Sequence, residues 1–366
     1  MSNIYTEALS QAGVSIWLDD LTRSMLQSEE LSTFIKEKNV VGVTTNPSIF
    51  ASAIKNDASY RREILDLSRS NVSVQKIIET LTIKDVQDAC DVLYDIFVNT
   101  HGNDGRVSIE VEPEHAHDTD ATVQRAQEIW DLVDRPNVMI KIPATKAGLS
   151  AISQTIALGI SVNVTLIFSI MRYREVASAY MYGLELALQN GFKLNSIQSV
   201  ASVFISRFDT ELATAAEKNE QLQPLQNKIG IANAKLTNDA FNGIWSTERA
   251  SYLLDQGANV QRLLWASTGV KSNSLPLNHY VAELVGPNSV NTMPKETLEA
   301  CTNGLEVNDS AIATDLLEAA TDVQTMTNNG LDYVELTQML ETEGLKKFSV
   351  AWEDLVESVQ KQISEA

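Results

Sequence analysis

A lysine in an otherwise apolar segment is the residue whose type and position most directly suggest chemistry. Lys141 lies in Val138-Met-Ile-Lys-Ile-Pro143, a run typical of a strand covered on both faces. Burial disfavours the charged form of an amine, and a neutral amine can attack a ketone to form a Schiff base. The pattern leaves two alternatives open: a structural ion pair with a carboxylate, or a bulge that lets the lysine reach solvent.

Carboxylates at the ends of two other candidate strands supply possible proton carriers. Asp19 and Asp20 end the first strand, and Glu110 lies in Ser108-Ile-Glu-Val-Glu112 on the third. Side chains alternate along a strand, so the two glutamates share a face that would point into a barrel. Imine-based aldol chemistry needs one acid/base group for the aldol hydroxyl and another for imine formation. The alternative is that these acids pair with Lys141 or cap a helix, which we favour for Asp20 and Glu112.

Hydrogen-bonding side chains occur at two further strands. Asn163 and Thr165 are two residues apart and therefore lie on one face, where they could bind a substrate hydroxyl or a water, or be satisfied internally. The segment Gly42-Val-Thr-Thr-Asn-Pro-Ser48 follows an apolar strand, and its Asn-Pro step favours a turn. The segment could form only a strand-to-helix turn, but seven small or polar residues in a row at a strand end favour a pocket.

Phosphate recognition requires cations or N–H donors at the rim of such a pocket. Arg207 follows the sixth candidate strand, and Lys271 follows the seventh in a loop whose backbone donors could contribute. An arginine that merely begins a surface helix is the alternative for Arg207.

Composition excludes several classes of function. The net charge of −20 argues against nucleic acid and anionic membranes as partners, because both require a broad basic surface. No glycine-rich phosphate fingerprint is present, so nucleotide, nicotinamide and flavin cofactors have no support. Two cysteines and four histidines lack metal-ligand spacing, and we expect no metal. No signal peptide or membrane span is visible, which predicts a cytoplasmic protein.

Alternation of short β-rich runs with amphipathic helices predicts an α/β fold, a single (β/α)8 TIM barrel with additional helices. We expect residues 1–366 to form one domain. Eight candidate strands are present: Val14–Asp19, Val40–Thr45, Val107–Val111, Val138–Ile142, Ser161–Phe168, Ser199–Ile205, Arg262–Ser267 and Ser289–Thr292.

The additional helices are expected in three places: an insertion at about 57–100, an extended connection at about 208–258 and a C-terminal extension at about 309–366. Within the insertion, Thr82 and Asp85 suggest a fresh helix start. Thr119–Val133 is a clear amphipathic helix, with Asp118 or Thr119 at its N-cap.

Together these segments resemble the transaldolase family along most of the chain. Gly42-Val-Thr-Thr-Asn-Pro-Ser48 resembles the first family signature, and Val138-Met-Ile-Lys-Ile-Pro-Ala-Thr145 resembles the lysine signature. Ser108-Ile-Glu-Val-Glu112, Val162-Asn-Val-Thr-Leu-Ile-Phe-Ser169 and Lys347-Phe348 add to the likeness, and the length is similar to that of the longer bacterial forms.

The resemblance implies a role for each matching residue. Catalysis would use Lys141 as the Schiff-base lysine, Asp19 as the base for the donor C4 hydroxyl, and Glu110 with Thr165 as holders of a proton-carrying water. The resemblance also implies that the substrate is bound by Asn46, Asn163, Ser202, Phe204 and Arg207, with Arg207 on the phosphate. Many family members have a second phosphate-binding arginine after the seventh strand; here Lys271, helped by Ser267, is expected to replace it.

The implied activity is that of a cofactor-free transaldolase of the non-oxidative pentose phosphate pathway, in a monomer or homodimer. It would move a dihydroxyacetone unit from sedoheptulose 7-phosphate or fructose 6-phosphate to glyceraldehyde 3-phosphate or erythrose 4-phosphate. Two alternatives stay open. One is a fructose-6-phosphate aldolase-like activity, although Phe204 stands where such chains more often have tyrosine; the other is a non-catalytic sugar-phosphate-binding barrel.

Overall fold

Eight parallel strands form a closed barrel in the computed structural model, which describes residues 2–70 and 72–365. Each strand pairs with its neighbour in sequence, and the eighth returns to the first. The predicted TIM barrel is therefore confirmed. The strands are β1 Val14–Leu18, β2 Val40–Thr44, β3 Arg106–Glu110, β4 Val138–Pro143, β5 Val162–Ile167, β6 Ser199–Phe204, β7 Arg262–Ala266 and β8 Ser289–Met293.

Helices follow the strands and surround the barrel, so most strand residues are buried on both faces. The helices that precede β4 in the chain are α1 Ile4–Gln11, which comes before β1, and α2 Arg23–Gln27, α3 Glu30–Lys38, α4 Pro47–Asn56, α5 Arg61–Ser68, α6 Val74–Val92, α7 Tyr94–Asn99 and α8 Thr119–Val133. The remainder are α9 Lys146–Ala157, α10 Ile170–Gln189, α11 Ser206–Ala216, α12 Ile229–Trp245, α13 Glu248–Asp255, α14 His279–Glu283, α15 Lys295–Thr302, α16 Leu316–Asn328 and α17 Tyr333–Ser364.

One predicted helix boundary is wrong. No helix begins at Thr82 or Asp85, because α6 runs through both residues without interruption. The Thr82 hydroxyl donates to the carbonyl of Ile78 in the preceding turn, and the Asp85 carboxylate accepts from Arg23 Nε at 2.8 Å. Both polar side chains are thus satisfied within the helical packing, which removes the reason for a break.

The N-terminal end of the barrel is closed by buried charges. Arg262 donates to Ser15 Oγ at 2.7 Å and to Asp104 at 3.1 Å, and Trp17 Nε1 also donates to Asp104. Arg106 donates to backbone carbonyls at the same end, and its burial lowers its pKa to about 9. In this fold chemistry occurs at the opposite end of the strands, so this network is structural.

The C-terminal helix α17 crosses the opposite end of the barrel. It packs against α4, which follows β2, and Arg172 at the start of α10 pairs with Glu341 at 3.3 Å. Leu166 in β5 has a left-handed backbone (φ 61°), where the pairing of β5 with β6 shifts register. A Cβ on Gly344 of α17 would lie 2.9 Å from a terminal methyl group of Leu166, so a larger residue at this crossing would have to displace that side chain.

Across the described part of the chain, none of the helices is both long enough and apolar enough to cross a membrane.

Candidate active site

An ion pair between neighbouring strands lies at the centre of the site. Glu110 of β3 is in register with Lys141 of β4, and Lys141 Nζ lies 2.6 Å from Glu110 Oε1. The ammonium also donates to the carbonyl of Thr45 at 2.6 Å, and the side chains of both charged residues are less than 10% exposed. The sequence left open whether Lys141 pairs with an acid or reaches solvent; it is buried and paired.

The second carboxylate oxygen of Glu110 is held by Thr45, the residue that directly follows β2. Thr45 Oγ1 donates to Glu110 Oε2 at 3.1 Å and also contacts the carbonyl of Ser108. Burial raises the pKa of Glu110, and the charge of Lys141 only partly offsets this rise. A carboxyl group with a raised pKa, beside an amine, is suited to accept and return a proton.

Asp19 immediately follows β1, and its carboxyl group lies close enough to Lys141 to feel the charge of the ammonium. Thr44 Oγ1 donates to Asp19 Oδ1 at 2.7 Å, and the Thr292 hydroxyl lies 2.6 Å from that of Thr44, so Thr292 donates in turn. Burial raises the pKa of Asp19, while Lys141 and Thr44 lower it by a smaller amount. Asp19 therefore provides a second proton acceptor, and the positive charge of Lys141 stabilises its ionised form.

Strands β5 and β6 add neutral polar groups. Asn163 is in register with Lys141, donates to Ser108 Oγ at 3.0 Å and accepts from Ser202 Oγ at 2.6 Å. All three of these hydroxyl and amide groups are buried. Thr165 lies two residues after Asn163 in β5 and therefore on the same face of the strand. Its buried hydroxyl has no hydrogen-bond partner within residues 2–70 and 72–365. It can bind a small polar molecule beside the lysine.

Asn46 serves as the N-cap of α4. Its side-chain oxygen accepts from the N–H of Ile49 at 3.0 Å, which leaves the amide nitrogen for other contacts. Asn46 lines a surface cavity of about 480 Å³ together with Ser48 and Asp20.

Arg207 lies in a neighbouring cavity of about 600 Å³ that Ser48 also borders. Its guanidinium lies 5.6 Å from the centre of the Phe204 ring, and its buried Nη1 has no partner among the described residues. Burial lowers the pKa of Arg207, and only Glu343 and Glu211 raise it. A partly desolvated guanidinium facing a cavity is suited to bind an anion.

Two cations at this cavity were not expected from the sequence as site residues. Lys346 and Lys347 of α17 line the cavity with Arg207. Lys347 pairs with Glu343 at 3.5 Å. Both lysines follow all eight strands in the sequence, so no strand pattern could place them at the site. The one sequence feature that pointed to this segment was the resemblance of Lys347-Phe348 to the family.

The loop after β7 carries the other residues expected at the phosphate end. Ser267 Oγ lies 3.0 Å from Ser206 Oγ, beside the turn that carries Arg207. Lys271 is exposed in the same loop. Ser267 is thus adjacent to the Arg207 turn, whereas Lys271 projects from the loop into solvent.

One expected orientation is wrong. Glu112 does not face the barrel interior, because β3 ends at Glu110 and the alternation of side chains stops there. Its carboxylate accepts a bidentate pair of hydrogen bonds from Arg125 of α8, at 2.7 and 2.8 Å. Glu112 therefore has a structural partner, but this partner is Arg125 and not Lys141 or a helix end as favoured from the sequence.

Comparison with known proteins identifies the family. The family model for transaldolase/fructose-6-phosphate aldolase matches residues 16–359. The chain is 48% identical over 363 residues to the transaldolase of Kocuria rhizophila, covering 99% of each chain. It is 47% identical over 361 residues to the transaldolase of Mycolicibacterium smegmatis, covering 98% of this chain and 97% of the relative. It is also 47% identical to transaldolase 2 of Streptomyces avermitilis, covering 97% and 96%.

The chain therefore belongs to the transaldolase/fructose-6-phosphate aldolase family and is an enzyme, a transferase of the transaldolase type. The resemblance seen in the sequence is confirmed at this level.

The ion pair generates a prediction about pH and stability. Removing the ammonium in Lys141→Met raises the pKa of Glu110 and Asp19 further above their ordinary values of 4.5 and 3.8. A carboxyl group with a raised folded pKa costs stability above that pKa, and the cost disappears as the pH falls to the unfolded values. We expect the variant to lose roughly 3–5 kcal/mol of unfolding free energy at pH 8 and less at pH 5.

Urea unfolding at both pH values measures this difference. The double variant Lys141→Met/Glu110→Gln is the control, because it also removes one carboxylate and should regain part of the lost stability at pH 8. An equal loss at pH 5 and pH 8 in the single variant would contradict the assignment of the buried pair.

Proposed function

We propose that this enzyme transfers a dihydroxyacetone unit between sugar phosphates through a Schiff base on Lys141. The donor would be sedoheptulose 7-phosphate or fructose 6-phosphate, and the acceptor glyceraldehyde 3-phosphate or erythrose 4-phosphate, as in the non-oxidative pentose phosphate pathway. The observation that carries the proposal is the 2.6 Å contact of Lys141 Nζ with Glu110 at the catalytic end of the barrel.

Imine formation would begin with proton transfer from Lys141 to Glu110. The neutral amine then attacks the C2 carbonyl of the donor to give a carbinolamine. Loss of the C2 hydroxyl as water needs a proton, which Glu110 returns through a water molecule held with Thr165. The short ion pair and the unpartnered Thr165 hydroxyl support these roles.

Carbon–carbon cleavage would use Asp19. Its carboxylate removes the proton of the donor C4 hydroxyl, the C3–C4 bond breaks, and its electrons enter the imine to form an enamine. The raised pKa of Asp19 brings this group closer to the pH at which a base works efficiently. The aldose phosphate then leaves, and the reverse steps join the three-carbon unit to an acceptor aldehyde.

Substrate hydroxyls would be bound by Asn46 and Asn163, with Ser202 and Phe204 shaping the wall beside them. Asn163 lies beside Lys141 in the sheet, which supports a contact near the imine. The buried Ser202–Asn163–Ser108 hydrogen bonds hold the amide in one orientation before the substrate arrives.

The phosphate would lie against Arg207 in the cavity closed by α17. Lys346 and Lys347 line that cavity and would add positive charge, while Ser267 and Lys271 were expected in this role from the sequence. We propose the α17 lysines as the stronger contributors, because they share the cavity with Arg207.

Covalent trapping tests the central step. Incubation with fructose 6-phosphate and borohydride should add a reduced three-carbon unit to Lys141, detected by peptide mass mapping. Lys141→Ala should abolish turnover and the adduct, because it removes the buried amine that lies against Glu110. Asp19→Ala should still form the imine but cleave the carbon–carbon bond about 100-fold more slowly. A folded wild-type enzyme with no adduct on Lys141 would overturn the imine mechanism.

Dependence on an acceptor separates the transferase from an aldolase. We expect little free dihydroxyacetone from fructose 6-phosphate alone, and rapid release of glyceraldehyde 3-phosphate once erythrose 4-phosphate is added. The enamine would stay bound in a site that α17 shields from water. Fast release of dihydroxyacetone without acceptor would support the aldolase alternative instead.

Substitution of single lysines tests the phosphate end. Lys346→Ala and Lys347→Ala should each raise KM for fructose 6-phosphate by about 3- to 10-fold, because a cation is removed from the cavity. Lys361→Ala on the same helix is the control, since Lys361 pairs with Glu365 away from Arg207. A rise in KM for Lys271→Ala, with no change in the two α17 variants, would show that Lys271 in the loop after β7, and not the α17 lysines, binds the phosphate.

A further inference from the structure

The turn that carries Arg207 is held from two directions. On one side, Ser206 donates its N–H to the carbonyl of Ser267 at 3.1 Å, and the two hydroxyls are 3.0 Å apart. On the other side lies Asp209, a residue that is 5% exposed and whose carboxylate contacts α12 and α14. The direction of the Arg207 side chain depends on both anchors.

Asp209 caps a helix that is remote in sequence. Its Oδ1 accepts from the N–H of Gly230 at 3.1 Å, in the first turn of α12, and its Oδ2 accepts from the Tyr280 hydroxyl at 2.8 Å. The residue at the N-cap of α12, Lys228, makes no side-chain capping bond of its own. A carboxylate is favourable at this end of a helix, so α12 and α14 are both attached to α11 through Asp209.

The contact with α12 is also steric. A Cβ on Gly230 would lie 2.6 Å from the carbonyl oxygen of Ile205 and 3.1 Å from Asp209 Oδ2. The backbone just before Arg207 therefore rests directly on the backbone of α12. Any movement of Asp209 away from Gly230 would shift the turn between Ile205 and Asp209.

Burial of the ionised Asp209 carboxylate between these helices lowers the stability of the folded protein. Burial raises the pKa of Asp209 to about 6, while the hydrogen bonds from Gly230, Tyr280 and Ile229 lower it by less. A raised folded pKa means that the charge reduces stability above about pH 6, and the penalty is absent below the ordinary value of 3.8. Stability by itself does not account for a buried charge at this position.

We infer that Asp209 is a positioning residue that fixes Arg207 against the phosphate of the substrate. This role rests on the proposed function, because it assumes that Arg207 binds phosphate. Asp209 acts only through the turn: it holds the first residues of α11 against α12 and α14, so that the guanidinium enters the cavity in one direction and loses little freedom on binding.

A double-mutant cycle with inorganic phosphate as the probe tests this inference. Phosphate affinity is measured by competitive inhibition and by titration calorimetry in Asp209→Asn, Arg207→Gln and the double variant. We expect Asp209→Asn to weaken phosphate by about 5- to 10-fold and Arg207→Gln by more. The double variant should be no weaker than Arg207→Gln, because Asp209 has no effect once the guanidinium is gone.

Asp239→Asn provides the matched control, because it makes the same chemical change at an exposed position of α12. It should bind phosphate like the wild type. In Asp209→Asn, KM for fructose 6-phosphate should rise, whereas borohydride trapping of unphosphorylated dihydroxyacetone on Lys141 should reach the wild-type extent. A general structural defect would reduce both.

The outcomes separate this inference from the proposed function. Wild-type phosphate affinity in Asp209→Asn, or additive losses in the double variant, would overturn the positioning role and leave the proposed function intact. Unchanged affinity in Arg207→Gln would instead overturn the phosphate assignment itself. If Asp209→Asn does not fold, Tyr280→Phe removes one hydrogen bond to the carboxylate, and an unchanged phosphate affinity in that variant would also overturn the role.

Discussion

Burial of one ammonium group constrains the whole catalytic end of the barrel. The side chain of Lys141 is 8% exposed, and a charge removed from water must be paired and hydrogen-bonded. Glu110 and the carbonyl of Thr45 meet that requirement at 2.6 Å each. These contacts set the relative positions of β2, β3 and β4. Burial raises the pKa values of Glu110 and Asp19, and the single positive charge of Lys141 offsets this rise only in part.

The barrel separates two kinds of buried charge. At the N-terminal end, Arg106 and Arg262 close the interior against Asp104 and backbone carbonyls. At the C-terminal end, the ammonium of Lys141 pairs with Glu110 and lowers the pKa of the nearby Asp19. Helix α17 covers this second end and lines the cavity of Arg207, so a segment that follows all eight strands completes the site. Closure by α17 would also exclude water from an enamine, as transfer requires.

Several parts of the site could be predicted from the sequence because they depend on local patterns. Apolar runs predicted the eight strands, with ends that differ by one residue or so from those observed. Strand alternation predicted that Glu110 faces the interior, where it pairs with the buried Lys141. The same rule failed for Glu112, since it holds only while the strand continues. A helix start was wrongly predicted at Thr82, whose hydroxyl bonds within its own helix.

The sequence by itself determined the class of fold, and it singled out one lysine and several carboxylates in the strands as candidate site residues. Periodicity and residue type are local properties, and a lysine or an acid in an apolar strand is visible without coordinates. Only the tertiary structure decided which groups meet. The pairing of Lys141 with Glu110, the entry of Lys346 and Lys347 into the cavity of Arg207, and the capping of α12 by Asp209 all join residues that are far apart in sequence. Such contacts depend on barrel closure and helix packing, which no local pattern specifies.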